Sequence, residues 1–141
     1  MAEHGARVLV IEREKQFRDR VRSEAVSPWD AAEAKQLEVW DLLRDSCAFE
    51  RRWALGLGPD RNLVMTTPQK LPLLTFYHPE MQEVMLRAAA RAGAEVRRDS
   101  AVSSAGGGTP AEVCFESDSK IERVQARLVQ RAVDFRSEGV A

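Results

Sequence analysis

Glu12, which closes the apolar run Val8-Leu-Val-Ile11, is the first position at which this sequence could do chemistry. At the carboxyl end of a parallel strand such a carboxylate accepts hydrogen bonds from ribose hydroxyls, because strand ends converge on the ligand crevice of a dinucleotide fold. Taken alone, the residue is read more simply as a solvated charge that ends a strand. Arg18, Arg20 and Arg22 follow within ten residues, and guanidinium forks suit a pyrophosphate, although a bare charge cluster is more often solvated surface. The glycine runs do not cradle phosphate. Gly56-x-Gly58 is followed by Pro59 with no helical pattern behind it, and Gly106-Gly-Gly108 leads through Thr109-Pro110 into a strand, as a hairpin loop does. Cys47 and Cys114 have no sequence neighbour that would lower a thiol pKa, and their apolar flanks favour buried roles. His78 beside Pro79 is better explained by helix entry than by general-base work. No catalytic triad is legible.

These side chains need elements to hold them. Ala6–Arg13 carries a continuous Val/Leu/Ile run ending in charge, the pattern of an interior strand buried on both faces of a parallel sheet. Ala2-Glu-His-Gly5 before it has the form of a last helical turn closed by glycine. Lys15–Glu24 is densely charged and aperiodic, as a solvent-facing loop over a ligand would be. Ser27 as cap and Pro28 at the first helical position open a helix whose stripe, Ala34, Leu37, Trp40, Leu42 and Leu43, runs through about Arg44. Short strands are expected over Phe49–Ala54 and Leu63–Thr67. A second helix begins at His78-Pro79, repeats through Met81, Val84, Met85, Ala88 and Ala92, and stops at Gly93. Beyond it come strands over Ala94–Arg97, Ser100–Ala105, Ala111–Glu116 and Ile121–Val129. Trp40 belongs to the core, whereas Trp29 and Trp53 could shape an aromatic pocket.

The 141 residues are 44% hydrophobic and 30% charged, with 21 Lys+Arg against 22 Asp+Glu, the size and balance of one soluble domain. A net charge of -1 supplies no basic field for phosphate backbones, so no nucleic acid is expected as a partner. The longest apolar run is far below the ~20 residues of a bilayer span, and the first residues do not form a secretory leader. No membrane is expected, and the location is read as cytoplasmic. Two cysteines with only His4 and His78 beside them form neither a disulfide framework nor a zinc spacing, and no structural metal is expected.

Four segments taken in order resemble the amino-terminal FAD-binding part of the single-component flavoprotein aromatic monooxygenases, the para-hydroxybenzoate hydroxylase-like group. They are Ala2-Glu-His-Gly-Ala-Arg-Val-Leu-Val-Ile-Glu-Arg13, Phe17-Arg-Asp-Arg-Val-Arg-Ser-Glu24, Ala25-Val-Ser-Pro-Trp29, and Thr75-Phe-Tyr-His-Pro79 leading into Met81–Ala92. The resemblance implies that Glu12 holds the adenosine ribose, that Arg13 lies near the adenine, and that Arg20 and Arg22 lie along the FAD phosphates and the nicotinamide approach. It also implies NAD(P)H-dependent hydroxylation of an aromatic or polyketide-like small molecule, with FAD as cofactor and NADPH or NADH as electron donor.

The sequence departs from that group in ways that shape the expectation. The first strand and its Gly-x-Gly-x-x-Gly turn would lie before Met1, removing the main pyrophosphate cradle. The second flavin motif is degenerate at Val133-Asp-Phe-Arg-Ser137, where Phe135 replaces glycine and Asp134 becomes a doubtful ligand. The third motif and the substrate domain would follow Ala141. The expected fold is α/β, an incomplete FAD/NAD(P)-binding Rossmann-like parallel sheet with a small antiparallel β-meander. Residues 1–129 are read as a partial FAD-binding domain and 130–141 as an irregular tail, together a truncated fragment inactive alone. The alternatives are a fragment of a flavin-dependent halogenase or reductase, and a non-catalytic remnant that self-associates through the sheet edge at Val8, Val10 and Ile11.

Overall fold

The sequence from Leu73 to Phe76 has to satisfy hydrogen bonds on both of its edges and bury alternate side chains on one face. In the computed structural model, which describes residues 2–19, 24–55 and 58–130, it does both. The chain divides into two compact units, one of Met1–Leu9 and Gln16–Val96, the other of Val10–Lys15 and Arg97–Ala141.

In the first unit, β2 (Ala25–Val26) and β3 (Ala48–Arg51) flank β6 (Leu73–Phe76) in the order β2-β6-β3, both antiparallel to it. Leu74 is fully buried at the centre of this sheet, in one cluster with Ala31, Ala34, Trp40, Leu43, Cys47 and Val84. Those residues come from α1 (Pro28–Gln36), α2 (Trp40–Ser46), the α2–β3 junction and α4 (His78–Arg91), so the helices cover one face of the sheet. Met81 and Met85 of α4 pack against the same cluster, as their three- and four-residue spacing requires.

Two helices replace the single one expected over Ser27–Arg44. Glu38 takes a left-handed φ of 59°, Val39 N donates to Ala34 O at 2.9 Å and Glu38 N to Lys35 O at 3.1 Å. That pair of bonds is a Schellman closure with glutamate where glycine is usual. It leaves Leu37, expected in the apolar stripe, 72% exposed. Ser27 does sit at the N-cap, yet its hydroxyl donates to the Asp30 carboxylate and makes no bond to the helix backbone. α4 closes in the same way at the expected place, with Gly93 at φ 94° and Ala94 N donating to Ala89 O at 3.0 Å.

Between β3 and β6 the chain makes β4 (Trp53–Ala54) and β5 (Arg61–Asn62), an antiparallel pair. The strand expected over Leu63–Thr67 is instead the short helix α3 (Leu63–Thr66). Asn62 Oδ1 accepts from Met65 N at 3.2 Å, and that side-chain cap turns an apolar β-prone run into a helical turn. At the start of the chain, a 3₁₀ turn over Ala2–His4 is closed by Gly5, whose N–H donates to Ala2 O at 2.9 Å.

β1 (Leu9–Ile11) and β7 (Glu95–Arg97) form a two-stranded sheet. Glu95 N donates to Val8 O at 2.9 Å and Glu12 N to Arg97 O at 2.8 Å, a rise along both strands that makes the pair parallel. The three β1 residues are half-buried, and among the described residues β1 has this one neighbour; the expected strand enclosed on both faces is not formed by these residues.

In the second unit, β8 (Ser100–Ala105), β9 (Ala111–Ser117) and β10 (Lys120–Ala126) make the expected antiparallel meander in the order β10-β9-β8. Asp118 and Ser119, at φ 51° and 60°, form its tight turn, with Ser117 opposite Lys120. Val113, Phe115 and Ser117 alternate onto the buried face of β9, and Phe115 is 1% exposed. β8 carries a bulge: its register against β9 shifts between Val102 and Ser104, and the Ser103 hydroxyl donates to Cys114 O at 3.2 Å. No described helix is long and apolar enough to cross a membrane.

A left-handed glutamate is strained relative to glycine. Glu38→Gly is expected to raise stability by roughly 0.5–1 kcal/mol in urea denaturation; a loss of that size would show that the Glu38 side chain contributes something the backbone argument omits.

Candidate functional site

Glu12 enters its position through its own backbone. Its N–H donates to Arg97 O, and its carbonyl accepts from Ser100 N at 3.1 Å. The half-buried side chain then turns back on the chain, where Oε1 accepts from Glu14 N at 2.8 Å. One carboxylate oxygen therefore fixes the turn that follows the strand. Glu12 makes no other side-chain hydrogen bond among the described residues, which leaves acceptor capacity for hydroxyl donors.

Arg13, the second residue expected here, is exposed, with its guanidinium 3.7 Å from the Glu14 carboxylate. Arg98 Nε donates to Glu14 O at 3.4 Å, so β1 leads into a turn held by Glu12 from one side and Arg98 from the other. An exposed guanidinium pair of this length contributes little to stability and stays available for a ligand.

Arg20 and Arg22 lie outside the described residues, as does the Val133–Ser137 motif with Asp134. The residues flanking the arginine pair are described, and they form a cluster that the sequence reading did not single out. Glu24 O accepts from Phe76 N at 3.0 Å, and Glu24 Oε1 accepts from His78 N at 3.4 Å. Lost hydration, then the charges of Asp19 and Glu24, push the Tyr77 phenol above its ordinary range, so it remains a donor at neutral pH. The only sequence signal for this cluster was Tyr77-His78-Pro79, which reads as a helix entry and is one, with Tyr77 at the N-cap of α4. His78 Nδ1 is buried without a hydrogen-bond partner among the described residues.

The remaining candidates separate by burial. Trp40 is in the core with Lys35 Nζ 5.4 Å from its ring, whereas Trp29 and Trp53 are more than half exposed. Cys47 is buried; burial and then the charge of Glu80 push its thiol up, away from nucleophilic character. Cys114 is half-buried with Sγ 3.8 Å from Glu112 Oε1.

Two outcomes are expected. Glu12→Ala loses the bond to Glu14 N and costs about 0.5–1.5 kcal/mol in urea denaturation, while Glu12→Gln, which keeps an acceptor, stays close to the unsubstituted chain. Because the Cys47 thiol is raised, the neutral form is the one the fold favours; that stability is present below the ordinary thiol range and is lost as pH rises through the folded value. Iodoacetamide at pH 8–9 should label Cys114 before Cys47, with the difference vanishing in denaturant.

No family model matches the chain, and no curated protein matches it in sequence. Solved structures do match its fold. p-Nitrophenol 4-monooxygenase from Pseudomonas putida superposes with a TM-score of 0.71 at 18% identity, over 89% of this chain and 34% of that one. Anhydrotetracycline hydroxylase from Streptomyces rimosus gives 0.69 at 20% identity, over 89% and 26%. Aklavinone-11 hydroxylase, solved with FAD and aklavinone, gives 0.61 at 18% identity, over 88% and 28%. A myxobacterial FAD-dependent halogenase, the chondrochloren enzyme, gives 0.66 at 20% identity, over 89% and 31%. The chain spans about a quarter to a third of the length of these proteins, and the fold it shares with them is Rossmann-like.

Proposed function

We propose that this chain is the FAD-binding portion of a flavin-dependent monooxygenase that hydroxylates an aromatic or polyketide-like small molecule with NAD(P)H and O2. The observation that carries the reading is Glu12: a half-buried carboxylate at the carboxyl end of a parallel strand, oriented by Glu14 N–H and with acceptor capacity left. Those properties fit the diol of an adenosine ribose. Arg13, exposed beside it, would lie near the adenine, and Arg20 and Arg22 would neutralise the phosphates or receive the nicotinamide. The redox chemistry with NAD(P)H and O2 would be the flavin's, while the chain's residues bind and orient it. No residue is assigned a proton transfer. Residues 1–129 would form the partial cofactor domain, in the cytoplasm, and 130–141 the tail with the degenerate motif.

Likeness to the chondrochloren halogenase over the same share of the chain supports a second reading, in which the portion serves a flavin-dependent halogenase or reductase. The outer edge of β1, unpaired among the described residues, supports a third, self-association through that edge.

Titration of FAD with the purified chain, followed by flavin fluorescence, should give saturable binding that Arg22→Ala weakens by about 1.5–3 kcal/mol. Affinity unchanged by Arg22→Ala removes that residue from the site. Absence of any binding, with light scattering showing dimers or larger species, moves the weight to self-association.

A further inference from the structure

The direction of the Glu12 carboxylate is set by residues some 85 positions further along the chain. Glu12–Glu14 is bonded throughout to the turn that joins β7 to β8. Glu12 N donates to Arg97 O at 2.8 Å, Ser100 N donates to Glu12 O at 3.1 Å, and Arg98 Nε donates to Glu14 O at 3.4 Å. Held in this way, Glu14 presents its N–H to Glu12 Oε1 at 2.8 Å. The β7–β8 turn therefore decides where the carboxylate points.

The turn is tied in its own right. Ser100 Oγ lies 3.0 Å from Arg98 O and 3.0 Å from the hydroxyl of Ser117, its partner in register on β9. A hydroxyl has one proton to give and a carbonyl can only accept, so the Ser100 proton goes to Arg98 O and the Ser117 hydroxyl donates to Ser100 Oγ. Ser100 is 1% exposed and Ser117 8%, on the face of β9 that also buries Val113 and Phe115. Small apolar side chains would fill that place without the cost of drying two hydroxyls. The pair is explained by what it holds: Ser117 bonds Ser100, Ser100 bonds Arg98 O, and the Arg98 side chain bonds Glu14 O. Asp99, between Arg98 and Ser100, takes a left-handed φ of 54°, a conformation that persists where its neighbours are fixed.

We propose that Ser100 is a positioning residue for the ribose acceptor: with Ser117 it fixes the Arg97–Ser100 turn, and through that turn it aims the Glu12 carboxylate at the diol of an adenosine. The hydroxyl line is a property of described residues of one compact unit; its ligand rests on the cofactor reading above.

The test uses the full chain. Ser100→Ala alone leaves the Ser117 hydroxyl buried without its acceptor and is expected to destabilise the chain, whereas Ser100→Ala/Ser117→Ala removes both hydroxyls and recovers most of that loss in urea denaturation. Positioning is read in the double variant. Amide exchange of Glu14, followed by NMR, should accelerate roughly fivefold there, as it does when Glu12→Ala removes the acceptor, while the amides of β10 keep their rates. The ligand readout is the affinity for ADP relative to 2′,3′-dideoxy-ADP, which lacks the diol. The unsubstituted chain should prefer ADP on the order of tenfold, and the double variant should lower that preference roughly fivefold, with no further effect in a Glu12→Ala background. Glu14 exchange at the wild-type rate, or accelerated equally along β10, overturns the proposal. If Glu14 exchange rises but the unsubstituted chain does not prefer ADP, the ribose reading fails and the positioning of Glu12 stands. If the preference is lost in Glu12→Ala but kept in Ser100→Ala/Ser117→Ala, the proposal fails and the ribose reading stands.

Discussion

The first unit depends on β6 being paired along both edges. β2 and β3 are too short to persist as an isolated hairpin, and each acquires its ladder from the four residues Leu73–Phe76. Leu74, opposite Val26 on one side and Glu50 on the other, sends its side chain into the cluster formed by α1, α2 and α4. Backbone pairing and apolar burial thus converge on one residue. The consequence reaches the candidate site, because β6 runs directly into Tyr77 and α4: the place where Glu24 is met is fixed by the same ladder that fixes the core.

Where local signals and tertiary demands agreed, the fold was legible from residues. α4 had a proline at its start, apolar spacing through its length and Gly93 at its end, and the structure uses all three. The meander was visible in its alternation and turn residues, and the last strand ends earlier than the sequence suggested only because pairing with Ala111 ends at Ala126. The break between α1 and α2 was hidden for the converse reason. Its closure has the same hydrogen bonds as the one at Gly93, but the left-handed residue is Glu38, and nothing about a glutamate in an apolar pattern announces a stop. Leu63–Thr66 was obscured by propensity, since Leu-Val-Met-Thr suits a strand until Asn62 caps it.

The candidate site was legible to a different degree. Glu12 stood out as an acid after an apolar run, and the structure puts it at the end of a parallel strand. Its bond to Glu14 N was not foreseeable, because turn geometry after a strand depends on where the partner strand holds the backbone. Arg20 and Arg22 were assigned by resemblance. The His78–Glu24 contact escaped notice because it joins residues far apart in sequence, and an ordinary helix entry already accounted for His78.

The bulge in β8 carries information of its own. Ser100-Ala-Val-Ser-Ser-Ala105 is built of side chains nearly alike in size, so a hydrophobic pattern can hardly distinguish one alignment with β9 from another two residues away. The extra residue at Ser103, held by its hydroxyl on Cys114 O, breaks that degeneracy, and the Ser100–Ser117 hydroxyl contact at 3.0 Å marks the far end of the same alignment. The hairpin therefore keeps its address in an irregularity: with Ser103 set outside the ladder, Val102 stays opposite Phe115 while Ser104 and Ala105 stay opposite Cys114 and Val113, a match that strand alternation alone would not provide.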